Sequence, residues 1–534
     1  MANAQVQQAR IQQIIDENLD RLRLPGVLSV RPGFRMRDGW ITDERAIVVT
    51  VAWGTDAGAS GLPGALDGVS VDVRTASPAK AAQLAGLAAP SARAELREPQ
   101  PAPDQGGVPV FPDERVLDTE RTLARVHPPE AAETLTKPAK EHLAYTTPAG
   151  TPLKPVSGEI ELELSASPDS GWPLLSAFLA GTQKSLTVGL YDFTSAHILD
   201  RFERAVAGKQ VVFVLDHPAK NPTADQTDDQ TVADLKEALG SAFEQAWALE
   251  RADPHASAWI FPSAYHIKVA VRDSNTVWLS SGNWNNSNQP DIDPVHNPAD
   301  AAEARTRDRD WHVVIHDAGL ARTFEAYLKH DYAVAEQHQA PASAALETEL
   351  LAQPLAETPP FDHFTAAETI TDQVTITPVL TPDPGVYVDA VRALIESAST
   401  SLHLQFQYIE PPSKPTDASA PFSALIDSVI ARQKAGVEVR VIMSEFESAG
   451  YLEQLQQLGL DVVHNVKLQN NVHNKGIVVD GSRTLVSSQN WSTAGTLENR
   501  DAGIIIDSAR VAAYYDSIFQ HDWEHLATQH ARED

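Results

Sequence analysis

The chain of 534 residues contains no cysteine. That absence excludes a disulfide framework, a thiolate-bound zinc or iron–sulfur centre and a catalytic thiol. No apolar run approaches the ~18 residues that a membrane-spanning helix needs. The opening stretch, MANAQVQQARIQQIIDENLD, carries polar side chains where a signal peptide needs an apolar core. The expectation is a chain with no transmembrane segment, cytoplasmic or secreted by a leaderless route. Basic residues are few: 42 Lys and Arg stand against 72 Asp and Glu, a net charge of −30. Sequence-independent binding to nucleic acid normally needs basic tracks. The acidic balance disfavours it and still permits one local anion site.

Hydrophobic residues make up 42% of the chain, enough for sizeable cores. At roughly 100–200 residues per domain, the length predicts two to four domains. Ile11, Ile14, Ile15, Leu19 and Leu22 recur at helical spacing until Pro25-Gly26. Strand-like runs follow at Val27 to Phe34, Ala46 to Trp53 and Val69 to Val73. Residues 1–75 thus read as a small α/β module without a catalytic constellation, in a docking or structural role. Residues 76–157 are rich in Ala and Pro and read as a linker. A second linker spans 335–375.

The blocks between and after these linkers, 158–334 and 376–534, look like copies of one plan. Pro168-Asp169-Ser170-Gly171 corresponds to Pro382-Asp383-Pro384-Gly385. A helix-like segment, a strand (Ser185 to Tyr191; Ser401 to Tyr408), another helix and a buried strand (Gln210 to Leu215; Val437 to Met443) follow in each. The rhythm predicts two repeated α/β domains, each with a largely parallel sheet flanked by helices, packed about a pseudo-two-fold axis.

The most informative segment also occurs twice. One copy has His266, Lys268, Asp273, Ser281 and Asn283; the other has His473, Lys475, Asp480, Ser488 and Asn490, at identical spacings. Two such strings at equivalent places in a repeat are not a chance event. In an extended strand alternate side chains share a face, so each His points the same way as its Lys. A turn and a second strand return the Asn alongside them. Two halves face to face would bring together two imidazoles, two ammonium groups and two carboxamides. Phosphate is the natural occupant. Lys and Asn neutralise its oxygens, one His attacks phosphorus, and the other protonates the leaving oxygen. The lysines supply the charge, so the reading needs no metal and no cofactor. A carboxylate on the far nitrogen of each ring would set its tautomer. Asp310 and Asp501, each at the head of a strand-like run, are the candidates.

This doubled motif resembles the phospholipase D superfamily, whose signature is H-x-K-x4-D-x6-G-S-x-N, over about residues 160 to 530. The resemblance implies two α/β/α-sandwich domains sharing one site. It also implies a covalent phosphohistidine intermediate, with His266 as nucleophile and His473 as general acid and base. Lys268, Lys475, Asn283 and Asn490 would hold the phosphate, and Asp273 and Asp480 would support structure. Ser280 and Ser487 depart from the motif's Gly.

Around the motif, Trp284 and Trp491 read as core, and Tyr191 and Tyr408 as residues near the pocket. His312 and His316 read as structural, and Asp216-His217-Pro218 as a turn. The first copy has a longer segment, Asn285 to Arg307, read as a lid or substrate-selecting loop. Glu410 to Ala420 reads as a second rim loop. The substrate is a phosphodiester, with phospholipid favoured and nucleic acid the alternative; a catalytically inactive scaffold is the remaining reading. One chain supplies both half-sites, so a monomer suffices.

Overall fold

A computed structural model describes residues 2–24, 26–52, 61–76, 145–216, 225–248, 261, 264–337, 363–412, 416–444 and 449–530. Most of each expected linker (77–144 and 338–362), together with His217 and Pro218, lies outside the described residues.

At the N-terminus the helix Ala2–Glu17 lays Ile11, Ile14 and Ile15 on Ile47, Val49 and Val51 of a small sheet. Its strands are β1 (Val27–Arg37), β2 (Trp40–Val51), β3 (Ala65–Leu66) and β4 (Val69–Thr75), in the order β1-β2-β4-β3. The module is docked rather than tethered. Phe34, Trp40 and Ile41 enter the core of the C-terminal half, and buried Arg74 meets buried Glu453 at 2.6 Å.

The other described residues build one sheet of fourteen strands. The first half supplies β5 (Val156–Ser167), β6 (Ser185–Leu190), β7 (Gln210–Leu215), β8 (Phe243–Trp247), β9 (Lys268–Arg272), β10 (Thr276–Ser280) and β11 (Asp310–His316). The second supplies β12 (Glu368–Thr381), β13 (Ser401–Phe406), β14 (Glu438–Ser444), β15 (Val466–Gln469), β16 (Lys475–Val479), β17 (Arg483–Ser487) and β18 (Asp501–Asp507). β5 and β12 pair antiparallel at the centre, and each half runs outward in the same order: β5-β11-β10-β9-β6-β7-β8 and β12-β18-β17-β16-β13-β14-β15. This is the ordering that a two-fold relation between copies produces.

The sheet is mixed, not largely parallel. Only β6-β7-β8 and β13-β14-β15 run parallel. The motif itself sets part of the difference, at β9–β10 and β16–β17. Asp273 and Ser274, and likewise Asp480 and Gly481, adopt positive φ between β9 and β10 and between β16 and β17. Consecutive left-handed residues fold the chain into a tight hairpin, which forces antiparallel pairing.

Side chains alternate across the sheet. Val269, Val271 and Val277 pack on the helix Ala318–Glu336, while Ala270 and Trp278 pack with the helices Gly171–Ala180, Ala196–Val206 and Asp228–Leu239. In the second half Ala509–His521 covers one face, and Val386–Glu396, Ala420–Lys434 and Ala449–Leu458 cover the other. Each half is therefore an α/β/α sandwich. The cluster under Ala318–Glu336 and Ala509–His521 is continuous between them.

Candidate active site

His266 and His473 lie two residues ahead of β9 and β16, where the backbone leaves the regular ladder. The approach to each is clasped by the other half. The Arg309 N–H donates to the Asn471 carbonyl at 2.7 Å, and the His473 N–H donates to the Arg309 carbonyl at 3.1 Å. In the mirrored contact the Arg500 N–H donates to the Ala264 carbonyl at 2.9 Å. The start of β11 therefore lies beside the second histidine, and the start of β18 beside the first.

The consequence is a crossed pair of dyads. His266 Nδ1 donates to Asp501 Oδ1 at 2.8 Å, and His473 Nδ1 donates to Asp310 Oδ1 at 2.8 Å. With Nδ1 carrying a proton toward a carboxylate, Nε2 of each ring is the atom left for chemistry. Ser281 Oγ donates to Asp310 Oδ1 at 2.7 Å and Ser488 Oγ to Asp501 Oδ1 at 2.6 Å. The motif serines thus anchor the carboxylates that orient the rings. Burial alone would raise the Asp310 carboxyl. The facing His473 ring and the Lys475 ammonium outweigh it and hold the pKa down at about 2.

His266, Lys268, Asn283, His473, Lys475 and Asn490 are each 0–1% exposed. Lys475 Nζ lies 3.0 Å from His473 Nε2 and 3.2 Å from its Nδ1. Lys268 Nζ donates to the His266 carbonyl at 2.7 Å and stands 5.2 Å over the Tyr191 ring. Tyr191 also meets the His266 ring edge-on at 5.0 Å, so it lines the cluster. Tyr408 is half-buried beyond the end of β13. Such a dry arrangement of cations, amides and imidazoles can neutralise a phosphoryl group and move one proton across it.

Asp273 and Asp480 sit away from the cluster, at the hairpin tips. Asp273 accepts from the backbone N–H groups of Gln183, Lys184 and Ser185. Asp480 accepts from those of Ser399, Thr400 and Ser401. Each ties its hairpin to the neighbouring strand. Burial opposes ionisation, but these donors hold both carboxyls below their ordinary range. Ser280, in place of the motif's Gly, closes its turn with bonds to the Gly282 N–H and carbonyl and touches His312 Nδ1 at 2.7 Å. Ser487 instead donates to the Lys475 carbonyl at 2.8 Å.

Trp284 packs against Phe193 and Trp278, and Trp491 against Phe406. His312 is buried between Ser167 and Ser280. His316 bonds Glu163 near the sheet margin. Asp216 accepts from the Tyr265 N–H at 2.6 Å and so braces the residue before His266. The segment Asn285 to Arg307 is bonded inward: Asn288 reaches Asp308 and Asp310, Gln289 touches His312, and Trp172 donates to Asp291. It forms part of the site wall. Residues 413–415 of the other expected rim loop lie outside the described residues.

Sequence reading missed two buried arginines. Arg309 is gripped by Asp169 at 2.8 Å and by Asp522 at 3.0 and 3.1 Å. Arg500 is gripped by Asp331 at 2.9 and 2.6 Å and bonds the Tyr145 hydroxyl at 2.9 Å. A signal existed. Arg-Asp opens β11 and β18 alike, and His330-Asp331-Tyr332 matches His521-Asp522-Trp523.

The family described as "Cardiolipin synthase, PLD-like domain" matches residues 391–523, a span that holds His473, Lys475, Asn490 and Asp501. A mitochondrial cardiolipin hydrolase of Xenopus tropicalis is 30% identical over 104 residues, 19% of this chain and 49% of that protein. The chain therefore spans about half the length of that curated relative. Among solved structures, phosphatidylserine synthase of Haemophilus influenzae Rd KW20 is similar over 70% of this chain and 90% of its own, at 13% identity and a TM-score of 0.46. The phospholipase D family member Nuc of Salmonella typhimurium is similar over 29% of this chain and 97% of its own, at 19% identity and a TM-score of 0.24.

Proposed function

We propose that the chain is a member of the phospholipase D superfamily, a phosphodiesterase acting on phospholipids through a covalent phosphohistidine. The observation that carries this reading is the pair of crossed His–Asp dyads buried with two lysines and two asparagines. In the first step Nε2 of one neutral histidine attacks phosphorus. A P–N bond forms as the P–O bond to the leaving alcohol breaks. The other histidine, as imidazolium, gives its Nε2 proton to that oxygen. In the second step this imidazole takes a proton from water or an acceptor alcohol, whose oxygen displaces the histidine from phosphorus. Lys268, Lys475, Asn283 and Asn490 balance the charge on the non-bridging oxygens throughout. Asp310 and Asp501 keep both rings in one tautomer and stabilise whichever is charged.

The matched family's description and the curated relative's name both concern a phospholipid, cardiolipin, which favours lipid as substrate. The net charge of −30 works against a polyanionic strand. The test is a paired turnover assay in EDTA. One arm holds vesicles of phosphatidylcholine, phosphatidylethanolamine and cardiolipin; the other holds single- and double-stranded DNA; His266→Ala serves as control. Phosphatidate released by the wild type and not by the variant is the expected outcome. Cleaved DNA with intact lipid would replace the lipid reading with a nuclease, and full turnover by the variant would remove the two-histidine mechanism.

A further inference from the structure

The two half-sites are copies, yet their carboxylates are bonded differently. Asp310 Oδ1 accepts from His473 and Ser281, and its Oδ2 accepts from Asn288 Nδ2 at 2.9 Å. Asp501 Oδ1 accepts from His266 and Ser488, while its buried Oδ2 has no hydrogen-bond partner among the described residues. The difference is built into the chain. Gly282 leaves room for Asn288, since a Cβ there would collide with Asp310 Oδ2 and crowd Asn288 Cβ. The second copy has Gln489 in place of Gly282, and Gly495 in place of Asn288. A Cβ on Gly495 would collide with the Asn490 carbonyl oxygen, so that position admits no donor side chain.

Each donor on a carboxylate draws off charge that would otherwise stabilise a facing imidazolium. Asp310 carries three donors and Asp501 two, so the ring facing Asp310 is left the smaller share of carboxylate charge. The Lys475 ammonium, 3.0 Å from His473 Nε2, further opposes a second positive charge there. Other charged and titratable groups face these sites. Arg309 and His312 lie beside Asp310, and Asp308 shares the Asn288 amide at 3.0 Å. Arg309 is neutralised by Asp169 and Asp522. Asp308 acts in the opposite sense, but Asn288 stands between it and Asp310 and Ser287 also bonds it. Beside the other dyad are Lys268, Tyr191, Tyr387 and Arg500, the last neutralised by Asp331 and Asp383.

We infer that His473 is the neutral nucleophile and His266 the protonated general acid, with Asn288 the positioning residue that sets this division. The inference rests on the phosphodiesterase reading and reverses the assignment that resemblance alone implies. One probe suits both parts of its test: bis(p-nitrophenyl) phosphate, with released nitrophenolate as the readout. Wild-type enzyme is quenched during turnover into alkaline denaturant, in which phosphohistidine survives, and the adduct is mapped by peptide mass. An adduct on His473 is expected; an adduct on His266 overturns the assignment while the phosphodiesterase reading stands. Asn288→Ala is then compared with wild type in the pH profile of kcat/KM. Losing the donor makes Asp310 a stronger base, so the acidic limb should rise by about one pH unit with the alkaline limb unmoved. A shift of the alkaline limb, or none, overturns the role given to Asn288. If wild type turns over neither this diester nor lipid nor DNA, the phosphodiesterase reading falls and the inference with it.

Discussion

At the scale of single residues, one buried histidine outside the reaction has a measurable consequence. His312 is fully enclosed, and burial lowers its pKa to about 4. Each ring nitrogen lies within hydrogen-bond distance of one buried serine hydroxyl. The unfolded chain would bind that proton near pH 6.5, so unfolding takes up a proton between about pH 6.5 and pH 4. Stability is therefore fully present above that window and falls as pH drops through it, by on the order of 3 kcal/mol from this residue. Asp310 stays ionised across the same window, because its own pKa lies at about 2. Urea unfolding at pH 7 and pH 4.5 should show a smaller loss in His312→Asn than in wild type. An equal loss in both would mean that the ring is protonated in the folded state.

At the scale of elements, the hairpins are the parts that sequence reading located best, and their tips show why. Asp480 does two local things: it takes positive φ, and its carboxylate gathers three backbone N–H groups that would otherwise be left without partners. Asp480→Ala should cost about 1–3 kcal/mol of stability, while turnover per folded molecule falls less than tenfold. His473→Ala should instead lose turnover per folded molecule by 10²-fold or more. Equal losses of turnover in the two variants would place the hairpin tip in the chemistry. The legible features were local in this sense: strand alternation around His266 and Lys268, a turn into a second strand after them, and the repeat of the whole string. Strand direction was not legible, because alternating α and β segments suggest parallel crossovers and only the turn geometry shows the hairpin. The grip of Asp169 and Asp522 on Arg309 was not legible either, since its partners lie 140 and 213 residues away. Nor was Asn288, which lies in a segment read as a lid and in fact reaches inward to Asp310.

At the scale of the molecule, neither half can finish its own site. Each histidine takes its carboxylate from the other half, and the strand openings carrying those carboxylates are fixed by Arg309 and Arg500. Arg309 ties β11 to Asp522, and Arg500 ties β18 to Asp331. Both guanidinium groups are buried and their carboxylates nearly fully so. Removing one cation leaves acids buried without compensation, a change that typically costs about 3–5 kcal/mol. That cost cannot stay in one half, because the acids gripping each arginine come from both. The β5–β12 pairing and the shared core add to the coupling. Residues 145–530 should therefore unfold together. Arg309→Met should lower a single calorimetric transition rather than split off a second one, and should slow turnover even where the protein remains folded. Arg500→Met should do the same. Two separable transitions in the wild type, or a variant that melts one half and leaves the other at its original temperature, would mean that the halves are independent domains that merely touch at the site.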